Sequence, residues 1–306
     1  MARLRRETKA GVRGEADPSK WPLKRATVVA RPGDSADNGS ESTFRPILTP
    51  ISVHGEPMMR VLVTGLSGLI GRTLHRELAP LHALSALNRS AVEGVPTTQA
   101  SLHDFAAIRG AFDGQEVVVH LGAKIHDGVG WEALLETNVV GTRNVFQAAM
   151  EAGVRRLVFA SSGAVVAGWE LEPPYAQLVA GEYDGLGAVP LIDESMPTRP
   201  RNLYASTKVW GEALGRHYAD NFGLEVICLR IGYAHSADRP QDARQFSVWN
   251  SQRDVVQAIR LAITATLPER FDQFFVLSNN RYAYRSIDRA RRLLGFEPLD
   301  AAEDYR

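Results

Sequence analysis

A single cysteine, Cys228, in 306 residues leaves no disulfide framework and no thiolate cluster for a metal, so no metal site is expected. It stands in the apolar run from Leu224 to Leu229 and reads as core packing. An excess of one charge sign is missing as well: Lys+Arg and Asp+Glu both number 35. That balance gives no electrostatic case for nucleic acid or an acidic membrane surface as partner, and leaves a small molecule as the default ligand. No apolar run approaches the roughly 18 residues of a membrane span, and the first residues lack the apolar stretch of a secretory signal. The expectation is a cytoplasmic protein without internal repeats.

Residues 1–57 stand apart from the rest. They open basic, are dense in Pro, Gly, Ser and Asp between Asp17 and Thr49, and hold no helical or strand period, which reads as disorder. Their acids, among them Glu7, Glu15, Asp17 and Glu41, argue against a targeting presequence. Met58 and Met59 lie directly before the first strand, and translation is expected to start there rather than at Met1.

From Arg60 onward, short β-branched runs alternate with longer helical patterns. That rhythm predicts an α/β fold: a doubly wound parallel sheet, Rossmann in type, over residues 58–232, with a small C-terminal substrate cap over 233–306. Strands are expected at Val61 to Thr64, Ala83 to Leu87, Glu116 to Leu121, Arg156 to Ala160 and Leu224 to Arg230, and helices at Trp131 to Ala152 and Tyr204 to Phe222. In the cap, helices are expected near Ser251 to Ala265 and Arg285 to Leu294, flanking a strand near Phe274 to Leu277.

The first strand runs into Gly65-Leu66-Ser67-Gly68-Leu69-Ile70-Gly71 and then a helix. Gly65 allows the tight turn, Gly68 lets the backbone approach a pyrophosphate, and Gly71 lets helix and strand pack closely. The amides of Ser67, Gly68, Leu69 and Ile70 are left to hold the anion. At the end of the second strand, where an NAD site usually carries an acid, the chain reads Leu87-Asn88-Arg89-Ser90. A guanidinium at Arg89 suits a 2′-phosphate, so NADP is favoured over NAD.

In Asn202-Leu203-Tyr204-Ala205-Ser206-Thr207-Lys208, Tyr204 and Lys208 lie four apart at a helix start and leave by one face. Lowering a phenol from pKa about 10 toward 7 takes about 4 kcal/mol, part of which a neighbouring ammonium supplies. Tyr204 is then a general base toward an alcohol. Ser162, with Ser161 as alternative, closes the fourth of the long strands at the sheet's carboxyl edge and can hydrogen-bond the reacting oxygen. His120 reads as a packed core histidine, and His126 with Asp127 follows the third long strand as a candidate substrate contact or a solvated loop pair.

Together, Thr64-Gly65-x-x-Gly68-x-x-Gly71, Val118 to Ala123, Asn138 to Thr142, Phe159 to Ser162 and Tyr204 to Lys208 resemble the extended short-chain dehydrogenase/reductase superfamily, in its NAD-dependent epimerase/dehydratase group. The resemblance implies that Ser162 and Tyr204 contact the substrate oxygen, that Lys208 also binds the nicotinamide ribose, and that Gly122 and Ala123 line the cofactor. It further implies that Asn138 braces the site and that a homodimer forms through the helices starting near Trp131 and Tyr204. In layout the chain is similar to short members such as uronate dehydrogenases. It departs from them at Asn88 and Arg89, at Gly163 and Ala164 after the two serines, and in a segment from Trp169 to Gly187 that resembles an insertion without structure and is expected to act as a lid over substrate.

The expected activity is hydride transfer between NAD(P) and a hydroxyl or carbonyl of a small sugar-like substrate, with Tyr204, Lys208 and Ser162 as the reacting groups and His126 near the substrate. An epimerase or dehydratase that retains its cofactor, and a non-catalytic dinucleotide sensor, are the competing readings. Arg239, Arg244 and Arg253 in the cap are candidates for a substrate carboxylate or phosphate.

Overall fold

The β-branched runs form the strands their composition favours, and the periodic segments between them form the covering helices. The computed structural model describes residues 58–306. The disorder expected of residues 1–57, and a start downstream of Met1, lie outside the described residues. In chain order the larger elements are β1 (Arg60–Thr64), α1 (Leu69–Leu78), β2 (Ala83–Asn88), β3 (Thr97–Gln99), α2 (Phe105–Ile108), β4 (Val117–His120), α3 (Trp131–Leu134), α4 (Thr142–Glu151) and β5 (Arg156–Ser162). There follow α5 (Tyr175–Ala180), α6 (Leu203–Phe222), β6 (Glu225–Ile231), α7 (Gln245–Val248), α8 (Gln252–Thr264), β7 (Phe271–Val276) and α9 (Asp288–Leu294).

Seven strands of the described residues form one parallel sheet in the order β3-β2-β1-β4-β5-β6-β7. The order reverses between β1 and β4, which makes the crevice outside their carboxyl ends the topological switch point where ligands of such sheets bind. All four residues of β4 are buried, as a central parallel strand covered on both faces requires. On one face Leu74 and Leu78 of α1 and Ile259 and Ile263 of α8 join the core; on the other, Ile108, Val145, Phe146 and Tyr218 do. Each such aliphatic or aromatic side chain contributes about 1.5–3 kcal/mol by leaving water.

Two features differ from what the sequence suggests. β3 carries only Thr-Thr-Gln, with no apolar pattern to announce it; its backbone pairing with β2 makes it a strand. The segment from Trp169 to Gly187 is folded rather than structureless: a 3-10 turn covers Gly163–Leu171, α5 follows, and Tyr175 and Leu178 enter the hydrophobic core. Within residues 233–306, β7 adds to the sheet edge and α8 packs on α1, while the loops after β6 and β7 stay at the carboxyl edge.

Candidate active site

The glycine turn is built by register. Thr64 pairs with Leu87 on one side and His120 on the other, so the turns after β1 and β4 lie side by side. Gly65 has φ +75°, and a Cβ there would come within 2.9 Å of Gly122 Cα; a Cβ on Gly71 would lie 2.3 Å from the Leu66 carbonyl oxygen. Only glycine fits either place. Gly68 caps α1 without a side-chain bond, and the first turn holds no acid, so the amide end of a ten-residue helix is open to an anion. A cleft of about 650 Å³ opens beside it, lined by Leu66, Ser67, Leu69 and Arg72 and, from the far side, Ser236 and Gln252. The Ile70 side chain instead packs against the core, leaving its backbone for any ligand.

At the end of β2, Asn88 is 5% exposed, and among the described residues neither its Oδ1 nor its Nδ2 has a hydrogen-bond partner. An amide orphaned at the place where this fold seats an adenosine ribose fits a dinucleotide. Arg89, next to it, is exposed.

Ser162 and Tyr204 meet at the carboxyl edge of β5. Burial holds the Tyr204 pKa above its ordinary value, against a smaller downward pull from the neighbouring Ser162 side chain. Lys208, one turn along α6, is buried and donates from Nζ to the Ala160 carbonyl at 2.7 Å; burial lowers its pKa to about 8. The sequence expectation that this ammonium draws the phenol down is therefore not met by the chain alone, because Nζ is drawn to a strand carbonyl and lies 5.8 Å from the Tyr204 ring centre.

Three polar groups hold this arrangement. Asp127 accepts the backbone N–H groups of Leu203 (3.1 Å) and Tyr204 (2.8 Å), and Asn202 accepts that of Ala205, so the first turn of α6 is capped twice. Asp127, a candidate substrate contact or solvated loop residue in the sequence, is instead a helix cap; its partners are 76 and 77 positions away, and nothing local signals them. Asn138 sits in a π-helical turn, Leu135–Gly141, between α3 and α4. It bonds both the N–H and the C=O of Lys124 at 2.8 Å, fixing the loop that carries Gly122 and Ala123, and donates to Thr207 of α6.

Ser161 points the other way, as strand alternation requires, donating to Glu212 at 2.6 Å; Glu212 in turn takes a bidentate bond from Arg230. His120 is wedged between Thr64 and Thr142 at 2.7 and 3.1 Å, and burial, with Lys208 nearby, lowers its pKa to about 3. It is a neutral core histidine. His126 is exposed and makes no hydrogen bond among the described residues. Of the cap arginines, Arg244 is bidentate to Glu170 and Arg253 pairs with Asp300, while Arg239 is exposed.

A parallel sheet with this switch point, a glycine turn at its first crossover and a Ser-Tyr-Lys arrangement across it define a dinucleotide-dependent enzyme class, and residues 61–250 match the NAD dependent epimerase/dehydratase family. The chain belongs to that family, and it is an NAD(P)-dependent dehydrogenase/reductase or epimerase. Among its relatives, L-arabinose 1-dehydrogenase (NAD(P)(+)) of Haloferax volcanii is 34% identical over 253 residues, covering 79% of this chain and 97% of that one. The NAD-dependent glucose-6-phosphate dehydrogenase of the same organism is 29% identical, covering 80% and 95%. The crystal structure of uronate dehydrogenase from Agrobacterium tumefaciens superposes with a TM-score of 0.69 at 30% identity, covering 81% of this chain and 87% of that one. No helix of the described residues is long and apolar enough to cross a membrane.

Proposed function

We propose that the protein oxidises a hydroxyl-bearing carbon of a small sugar, passing the hydride to NAD(P). The observation that carries this reading is the meeting of the Ser162 and Tyr204 side chains at the carboxyl edge of β5, one helical turn from buried Lys208. When bound, the oxidised nicotinamide supplies the hydride acceptor. The chain's own groups do the rest: Ser162 hydrogen-bonds the substrate oxygen, and Tyr204 takes the hydroxyl proton. Lys208 keeps a positive charge beneath the site and would meet the ribose of a bound dinucleotide. Gly122, Ala123 and the open end of α1 would hold the dinucleotide. The relatives named above act, by their names, on arabinose, glucose 6-phosphate and uronate, which supports a single sugar unit as substrate.

Arg89 is proposed to favour NADP by taking the 2′-phosphate, with the Asn88 amide on the ribose. Dissociation constants for NADPH and NADH, measured for wild type and Arg89→Ala, test it: the variant is expected to lose about tenfold toward NADPH and little toward NADH. An unchanged ratio would remove Arg89 from the site. A homodimer through the helical segment that starts near Trp131, α3 running into α4, and through α6 is proposed on the family resemblance, and exposed Trp131, Leu135 and Leu203 suit it.

The test of the activity is a cofactor-reduction screen over aldoses, uronates and sugar phosphates. Stoichiometric NAD(P)H formation is expected with at least one sugar. Purified protein carrying tightly bound oxidised cofactor, with product formed and no net reduction, would replace the dehydrogenase reading by an epimerase.

A further inference from the structure

Beside Ser162 lies a buried charge cluster that the reaction above does not use. Glu170, its side chain 1% exposed, closes the 3-10 turn after β5. Both its oxygens are taken by Arg244, through Nε at 2.7 Å and Nη2 at 2.8 Å, the planar fork-on-carboxylate geometry that guanidinium uses for any carboxylate ligand. Tyr284 donates its hydroxyl to Glu170 Oε1, and Arg285 Nη2 lies 3.4 Å from that oxygen and 2.8 Å from the Tyr284 hydroxyl oxygen. Arg201, three residues before Tyr204, approaches Oε2 at 3.7 Å. The cluster adjoins the reacting groups. A Cβ on Gly163, the residue after Ser162, would fall 2.2 Å from Arg285 Nη1, so the guanidinium occupies the space a side chain would take there.

These groups arrive on the chain segments that follow β5, β6 and β7, all at the ligand-binding edge of the sheet. Arg244, one of the cap arginines that could hold a substrate's anionic group, has its fork filled from within. Arg285 is 2% exposed and so is closed to an incoming ligand. Arg253 and Arg289 are likewise committed to Asp300 and Asp272. Arg244 and Arg285 thus share Glu170 as their carboxylate, and Arg285 is the one set against Gly163 beside Ser162.

We infer that Glu170 is a specificity-determining residue, standing where a substrate's acid group would otherwise be taken up, so that the site accepts a neutral sugar and discriminates against uronates and sugar phosphates. The inference rests on the sugar-dehydrogenase reading above. A second anion brought to Arg244 finds its fork already filled by Glu170, which is discrimination by lost attraction. Removing the charge while keeping the shape, in Glu170→Gln, frees Arg244 for an external carboxylate.

The experiment compares kcat/KM for L-arabinose and D-galactose with that for D-glucuronate, D-galacturonate and glucose 6-phosphate, using the full chain with NAD and NADP. Wild type is expected to prefer the best neutral sugar by about 100-fold or more, and Glu170→Gln to shift the ratio toward uronate by about tenfold. A wild-type preference below about tenfold, or one for an acidic sugar, overturns the inference while leaving the dehydrogenase reading intact. A folded Glu170→Gln whose ratio does not move also overturns it. Should that variant fail to fold, because Arg244 and Arg285 lose their buried counter-charge, the wild-type ratio still decides. No reduction with any sugar, neutral or acidic, overturns the dehydrogenase reading and this inference with it.

Discussion

His120 shows how a residue inside a functional motif can be structural. Both ring nitrogens are engaged by threonine hydroxyls, and burial holds its pKa near 3 against the ordinary 6.5. Between those two values the unfolded chain binds a proton that the folded one refuses. The stabilisation is therefore whole above pH 6.5 and is lost as pH falls toward 3, by an amount of the order of 5 kcal/mol. Urea unfolding measured across that range is expected to show stability falling with acid, and His120→Gln, which has no group to titrate, to flatten the slope. Equal slopes in both proteins would mean that His120 already takes its proton in the folded state. Lys208 follows the same rule at higher pH: its pKa of about 8 means that burying the ammonium costs stability below pH 8, a cost relieved as pH rises toward 10.5. The packing of His120 was legible in the sequence because it stands in a β-branched run; the direction of the Tyr204 shift was not, because spacing alone cannot show that Lys208 would be drawn to the Ala160 carbonyl.

At the scale of elements, the site depends on how α6 begins. Its first turn receives Asp127 from the loop after β4, and that carboxylate holds the backbone of Tyr204 itself. Asp127→Ala is expected to cost about 1 kcal/mol of stability, and to lower kcat more than it raises KM, since Tyr204 loses its placement and not the substrate its contacts. An unchanged kcat with the same loss of stability would make the cap structural only. Five of the seven strands, and the two long helical segments, could be read from period and glycine punctuation, with bounds off by one or two residues. β7 was placed three residues late, and β3 was invisible, because a three-residue polar edge strand is made by its neighbour's backbone rather than its own side chains. α5 was missed for a related reason: a six-residue helix behind two prolines has no period long enough to see.

For the whole molecule, the parts that sequence made visible are the glycine turn, proposed to hold the dinucleotide, and the Tyr-Lys pair, because both are local. What selects the substrate is assembled from segments distant in the chain: Glu170 after β5, Arg244 after β6, Arg285 after β7. Pairings across 74 and 115 positions leave no trace in a single sequence. In the proposed reaction Tyr204 takes the proton from a sugar hydroxyl as hydride leaves for NAD(P). Its most direct test is single-turnover reduction of NAD(P) by the best sugar of the screen, in wild type and in Tyr204→Phe. The variant is expected to bind NADPH as wild type does and to reduce cofactor about 1,000-fold more slowly. A Tyr204→Phe enzyme that reduces cofactor at the wild-type rate would contradict it.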